Sequence, residues 1–210
     1  MYVWGGLDGQ GNPIADGKLW KLTLSTANGS WSQVTVDNQN PPPSPRYGHT
    51  LMMDMTTWVN PLTMQRVPKE KGLWLFGGRN ATGPVSDRLY ELDFLEPSGT
   101  PVWTEKTYAS PPSAREGHVV VLSDPNGVSG SPSNTNGAYG MYLFGGFNGT
   151  SYRGDVWRLN LPANDDVLDT PTWIDLTSYA LCNPANCPTV PSARSRHAGV
   201  YDLRYDRLLI

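Results

Sequence analysis

LWLFGG at 73–78 decides the reading of this chain, because its pattern stands twice more, as MYVWGG at 1–6 and MYLFGG at 141–146. Each copy is followed by the same landmarks in the same order. After Gly78 come Asp87, Tyr90 in RLYELDF, Trp103 in VWTEKT, then Pro112, Arg115 and His118. After Gly146 the order returns as Asp155, Trp157 in DVWRLNL, Trp173 in TWIDLT, Pro191, Arg194 and His197. After Gly6 it reads Asp16, Trp20 in KLWKLTL, Trp31 in SWSQVT, Pro45, Arg46 and His49. Self-similarity at a near-constant period identifies a repeat architecture, in which one unit cannot bury its apolar faces alone.

The steps from Gly6 to Trp31, Gly78 to Trp103 and Gly146 to Trp173 are nearly equal, whereas those from each tryptophan to His49, His118 and His197 vary. The first part of the unit is therefore rigid and the second is loop. Composition agrees: 22 Gly and 19 Pro in 210 residues interrupt almost every apolar run, which suits short strands and disfavours long helices. No run approaches the ~18 consecutive apolar residues of a bilayer span. A net charge of −3, from 16 basic and 19 acidic residues without blocks of either sign, lacks the basic face of a nucleic-acid binder. No charged start followed by an apolar segment marks a signal peptide.

Each unit resolves into four strands. The first follows Arg and His, as in HTLMMD (49–54) and HVVVLSD (118–124). The second runs into the double glycine; Leu73 and Leu75 alternate with Trp74 and Phe76, so both faces are expected to be buried. The third carries an apolar face of Tyr90, Leu92 and Phe94. The fourth is short and polar apart from its tryptophan. Antiparallel sheets that are buried on both sides and repeat along the chain predict propeller blades packed face to face.

This order of apolar strand, Gly-Gly, aromatic third strand, tryptophan fourth strand, then Arg and His resembles the kelch repeat over essentially all 210 residues. The resemblance implies an all-β, kelch-type β-propeller segment of four-stranded antiparallel blades. Two blades are complete, 47–107 and 116–177; residues 1–36 supply the last three strands of one, and 197–210 begin another. The period exceeds the ~50 residues of a kelch unit, so insertions are expected at 55–72 and 123–140, between first and second strands. A closed propeller has ~4 to 8 blades, so the chain reads as a piece of a longer protein or as half of a ring closed by a second copy. Its open blade edges invite self-association.

Gly5, Gly6, Gly77, Gly78, Gly145 and Gly146 are expected to supply positive φ and close backbone approach at blade corners. Arg46, Arg115 and Arg194 are read as hydrogen-bonding or stacking partners of His49, His118 and His197. These histidines occupy one place in three blades and do not converge to the ~2 Å distances of a metal site. Trp31, Trp103 and Trp173 are expected to pack between blades. Some secreted kelch-like propellers resemble copper radical oxidases, whose chemistry needs a tyrosine linked to a cysteine, a second tyrosine and two histidines. Here the only cysteines are Cys182 and Cys187, both in the loop motif CNPANC. No catalytic, cofactor or metal site is assigned, and an oxidase would keep its active site outside this segment.

Cys182 and Cys187 read as a disulfide if their Cα atoms come within ~7 Å; two free thiols or half of a zinc site are the alternatives. The disulfide and the sequons at Asn28, Asn80 and Asn148 lean toward an extracellular, glycosylated protein. Function on a rigid scaffold belongs to loops. The 123–140 insertion is Gly/Ser/Asn-rich, and the 55–72 insertion carries Trp58, Leu62, Met64, Arg66, Lys69 and Lys71 as a blade-edge cover or a docking arm. Arg79, Tyr152 and Arg153, in equivalent loops after the double glycines, are the candidate partner-facing rim. The expected function is a non-catalytic binding or scaffold module with a protein partner; the alternative is a structural or glycan-binding component of a secreted assembly.

Overall fold

The computed structural model describes residues 1–24, 28–37, 40, 42–59, 66–81, 86–94, 99–108, 110–123, 140–160, 171–177, 190–202, 205 and 207–210, the side chains of 55–59 and 66–69 excepted. Its strands form four antiparallel sheets in chain order. The first comprises β1 (Tyr2–Trp4), β2 (Leu19–Leu24) and β3 (Gly29–Val34). The second comprises β4 (Thr50–Val59), β5 (Arg66–Phe76), β6 (Leu89–Asp93) and β7 (Val102–Lys106). The third repeats it with β8 (Val119–Leu122), β9 (Gly140–Phe144), β10 (Val156–Asn160) and β11 (Thr172–Asp175), and β12 (Val200–Asp202) pairs with β13 (Arg207–Leu209) in the fourth. The first strands β4, β8 and β12 are neighbours, the inner position in a kelch-type propeller. No helix among the described residues is long and apolar enough to cross a membrane.

The period-2 alternation of a strand explains why these sheets stack. In β5, Leu73 and Leu75 point to one face and join Trp4, Leu19, Tyr90, Leu92 and Trp103, which closes the first sheet on the second. Trp74 and Phe76 point to the other and join Val120, Met141, Leu143, Leu159 and Trp173, which closes the second on the third. All four β5 side chains are buried, each contributing about 1.5–3 kcal/mol by leaving water. The fourth-strand tryptophans bridge backwards: Trp103 lies 6.0 Å from Trp4 and Trp173 lies 5.0 Å from Phe76, centroid to centroid.

Trp31 departs from the expectation of a packed tryptophan. It is 52% exposed, against 1% for Trp103. Trp103 and Trp173 each need an aromatic residue on the preceding sheet, and no sheet precedes the first among the described residues. The 55–72 stretch departs as well: instead of a loop it continues the ladder, with pairing from Met55↔Glu70 to Val59↔Arg66. A bulge at Asp54/Met55 leaves Lys71 as the extra residue. Beyond Gly72 the partner β6 has ended, so among the described residues no ladder on that side needs the N–H that Pro68 lacks. Glu70, at the base of the extension, accepts from Tyr2 Oη at 2.7 Å and Lys21 Nζ at 2.8 Å, tying the hairpin to the first sheet. Most of the 123–140 stretch, and both Cys182 and Cys187, lie outside the described residues.

The double glycines are the joints between sheets. Their second N–H donates to the arginine carbonyl that leads the next sheet: Gly6 to Arg46 at 3.0 Å, Gly78 to Arg115 at 2.9 Å and Gly146 to Arg194 at 2.7 Å. Gly77 has φ +70°, and a Cβ there would lie 2.6 Å from Arg115 O and 2.8 Å from His118 Cε1. A side chain would therefore push the next sheet away. Gly77→Ala is expected to cost about 3 kcal/mol, combining left-handed strain, the clash and a lost hydrogen bond. Gly17 has φ +63° with nothing within 4 Å, so Gly17→Ala should cost only about 1 kcal/mol. Denaturant unfolding of the pair separates the joint from the dihedral; equal losses would refute the contact.

Candidate functional site

Each joint packs a histidine against the aromatic residue that precedes the glycines; His118 is buried, His49 and His197 half-buried. The ring pairs Trp4–His49, Phe76–His118 and Phe144–His197 all have centroids 5.4 Å apart in edge-to-face orientation. His118 Nε2 shares a 3.0 Å hydrogen bond with Thr50 Oγ1 of the preceding sheet. Burial, reinforced by Arg46, pulls His49 down to about 4. Burial, then Arg115 and the other two histidines, pulls His118 down to about 3. His197 is lowered by burial and by Arg194. His49 and His118 are therefore neutral packing groups at neutral pH.

Arg115 is fully buried and its two terminal nitrogens each reach Asp155 at 2.7 Å. Burial raises the Asp155 carboxyl, but the hydrogen bonds and charge of Arg115, with Trp157 and Arg153, bring it below its ordinary value. Nη1 of Arg115 also donates to Gly145 O at 2.9 Å, so this ion pair braces the glycine corner. Arg115 and Asp155 are thus absorbed in holding the glycine corner of the third sheet.

The loops that follow the glycines present polar groups to solvent. Those of the first three sheets converge on a polar cavity of about 650 Å³, whose wall includes Asn12, Tyr47, Arg79, Asn80, Asn148 and Thr150. The loops are held in place. Tyr47 and Arg79 exchange two backbone hydrogen bonds of 2.9 Å, and Glu116 and Phe147 exchange bonds of 2.9 and 2.8 Å. Asp8 Oδ1 accepts from the backbone N–H groups of Gln10 and Asn12, both at 2.9 Å. Asn148 Oδ1 does the same for Thr150 and Ser151 at 3.0 and 2.8 Å. Such Asx turns fix a loop without a strand partner.

Arg79 is the member of the sequence-derived rim that lines this cavity; its Nε lies 3.6 Å from Glu116 Oε1 of the next sheet. Tyr152 is 62% exposed and stacks on Phe147 at 5.2 Å, while Arg153 Nη2 stands 3.8 Å from Asp155. Tyr152 and Arg153 are in the same loop layer but outside the cavity wall. Asn80 and Asn148, singled out as sequons, are wall residues, and Asn28 is exposed beside β3. Asn12 and Tyr47 were not singled out in the sequence; their positions relative to the glycine pairs are the signal that marks them.

Comparison with solved structures gives a cryo-EM structure of RAG in complex with one melted RSS and one unmelted RSS, with TM-score 0.50 and 15% identity. That match covers 95% of this chain and 56% of the other, so the chain spans little more than half the length of that relative. A structure of YjhT aligns with TM-score 0.35 and 17% identity over 69% of this chain and 33% of that one. No curated protein sequence matches. The family model described as the KLHDC2/KLHL20/DRC7 Kelch-repeats domain matches residues 1–200. With the glycine joints and stacked four-stranded sheets it shows that the chain belongs to the kelch-repeat β-propeller family.

Proposed function

We propose that this chain is a non-catalytic module that binds a protein partner through its post-glycine loops. The observation that carries this reading is the convergence of three loops, from three successive sheets, on one polar cavity. Kelch domains generally mediate protein–protein interaction. The strands here spend their side chains on inter-sheet packing, which leaves recognition to loops on a rigid scaffold. The wall offers amide, hydroxyl and guanidinium groups for hydrogen bonding, and exposed Tyr152 beside it supplies a large contact at small entropic cost. Partner capture compared between the wild type and an Arg79→Glu/Tyr152→Ala variant of unchanged thermal stability tests this. Proteins held by the wild type and lost by the variant are the expected result; an identical set on both contradicts it.

Self-association through the first sheet is a second reading, carried by Trp31, which is 52% exposed where its equivalents are packed. A mass that stays monomeric across a concentration series removes it.

A further inference from the structure

Arg115 uses every edge of its guanidinium. Nε donates to Ser113 O at 2.9 Å, Nη1 to Gly145 O at 2.9 Å and Nη2 to Ser113 Oγ at 3.1 Å, and a two-point bond to Asp155 takes the remaining hydrogens. Arg46 repeats the first three in the second sheet, to Ser44 O at 2.9 Å, Gly77 O at 3.0 Å and Ser44 Oγ at 3.0 Å. It is only 3% exposed, yet no described carboxylate forms an ion pair with it. A guanidinium has five N–H donors, so the edge that Arg115 gives to Asp155 has no charged acceptor in Arg46.

The cause is one inserted residue. Landmark order aligns Asp87 with Asp155, but strand register does not. Leu89 pairs with Phe76 as Val156 pairs with Phe144, and Arg88 O accepts from Gly77 N at 3.3 Å as Asp155 O accepts from Gly145 N at 3.2 Å. Arg88 therefore holds the place of the acid, and Asp87 is exposed. The Arg88 side chain turns to Glu105. Tyr90, its ring centroid 5.3 Å from Arg46 Cζ, supplies a π face and a hydroxyl hydrogen bond, and Glu105 attracts Arg46 without forming an ion pair with it. Arg46 opens on a cavity of about 710 Å³ bounded also by Ser44, Asp87, Arg88, Tyr90, Trp103 and Glu105, within the ~300–1,000 Å³ usual for ligand sites.

We propose that this cavity binds the carboxylate of an Asp or Glu side chain from a protein partner, held by Arg46 at two points as Arg115 holds Asp155. Planar two-point recognition is what a guanidinium fork does best. Arg88 adds a second cation at the wall, and Glu105, already engaged by Arg88, and solvent-exposed Asp87 are the acids of the same wall that a ligand must displace or avoid. The assignment of the carboxylate to a protein rests on the proposed function; the carboxylate chemistry rests on Arg46 alone.

The probe is a blocked tripeptide with central Glu, compared with its Gln counterpart and with acetate, read by arginine Nε–Hε NMR signals of the intact chain. The Glu peptide should shift Arg46 and leave Arg115 unmoved, and the Gln peptide should shift neither. Arg88→Asp rebuilds the arrangement of the third sheet, so it should raise Tm and weaken the Glu peptide at least tenfold, while Arg88→Ala should weaken it only a few-fold. An unmoved Arg46 signal, equal response to Gln, or undiminished binding by Arg88→Asp overturns the proposal. Acetate binding as tight as the peptide overturns the assignment to a protein side chain. A partner captured equally by wild type and Arg88→Asp sinks this site and spares the loop face. Peptide binding without any partner lost by the loop variant does the reverse.

Discussion

Between pH 6.5 and pH 4 the protein is expected to lose on the order of 5 kcal/mol of stability through two histidines. In the folded chain His49 protonates at about 4 and His118 at about 3, because burial and the neighbouring arginines oppose a second positive charge. In the unfolded chain both take a proton near ~6.5. The unfolded state therefore binds more protons as the pH falls, so this stability is full above ~6.5 and drains downward through 4 towards 3. Denaturant unfolding at a series of pH values should show a slope of about 2.7 kcal/mol per pH unit near pH 5, the effect of two protons. The imidazole NMR signals of both rings should stay in their neutral positions at pH 5.5. Rings that titrate near 6.5, with flat stability, would show that the joints are open to water.

Asp155→Ala is expected to cost about 3–5 kcal/mol, because it leaves the fully buried Arg115 with an uncompensated charge. Trp157 Nε1, which donates to Asp155 at 2.8 Å, loses its acceptor as well. The matching Asp87→Ala should change stability by no more than about 0.5 kcal/mol, since that side chain is exposed. Unfolding midpoints of the two variants thus test the register of the sheets. Equal losses would mean that Asp87 serves Arg46 after all, and would remove the open edge on which the carboxylate site depends.

The fold was legible because its signals are local and repeated. Four apolar residues ending in two glycines can be read without knowing what they touch, and β5 needs both faces covered whatever its neighbours are. Trp31 was not legible in the same way, since whether a tryptophan is packed depends on a sheet elsewhere. The excess length of the repeat made 55–72 look like an inserted loop, whereas its described ends pair as an extension of β4 and β5. Asp87 shows the same limit more sharply: order along the chain placed it with Asp155, and a single inserted residue gave that position to Arg88. Of the loop face, Arg79 could be named from its place after the glycines. Asn12 and Tyr47 stand at fixed places relative to the glycine pairs, but that they meet Arg79 in one wall depends on the angle between sheets.

That angle is set by the joints, so the amide of Gly78 is the most direct probe of the whole account. Its hydrogen bond to Arg115 O, 2.9 Å long, links the second sheet to the third. If the sheets form one body that fixes the loop face, this amide exchanges with solvent as slowly as that of Leu75 in the core, at the rate of global unfolding. Exchange within seconds while Leu75 stays protected would show sheets that move independently, and would contradict both the joint and the converged loops built on it.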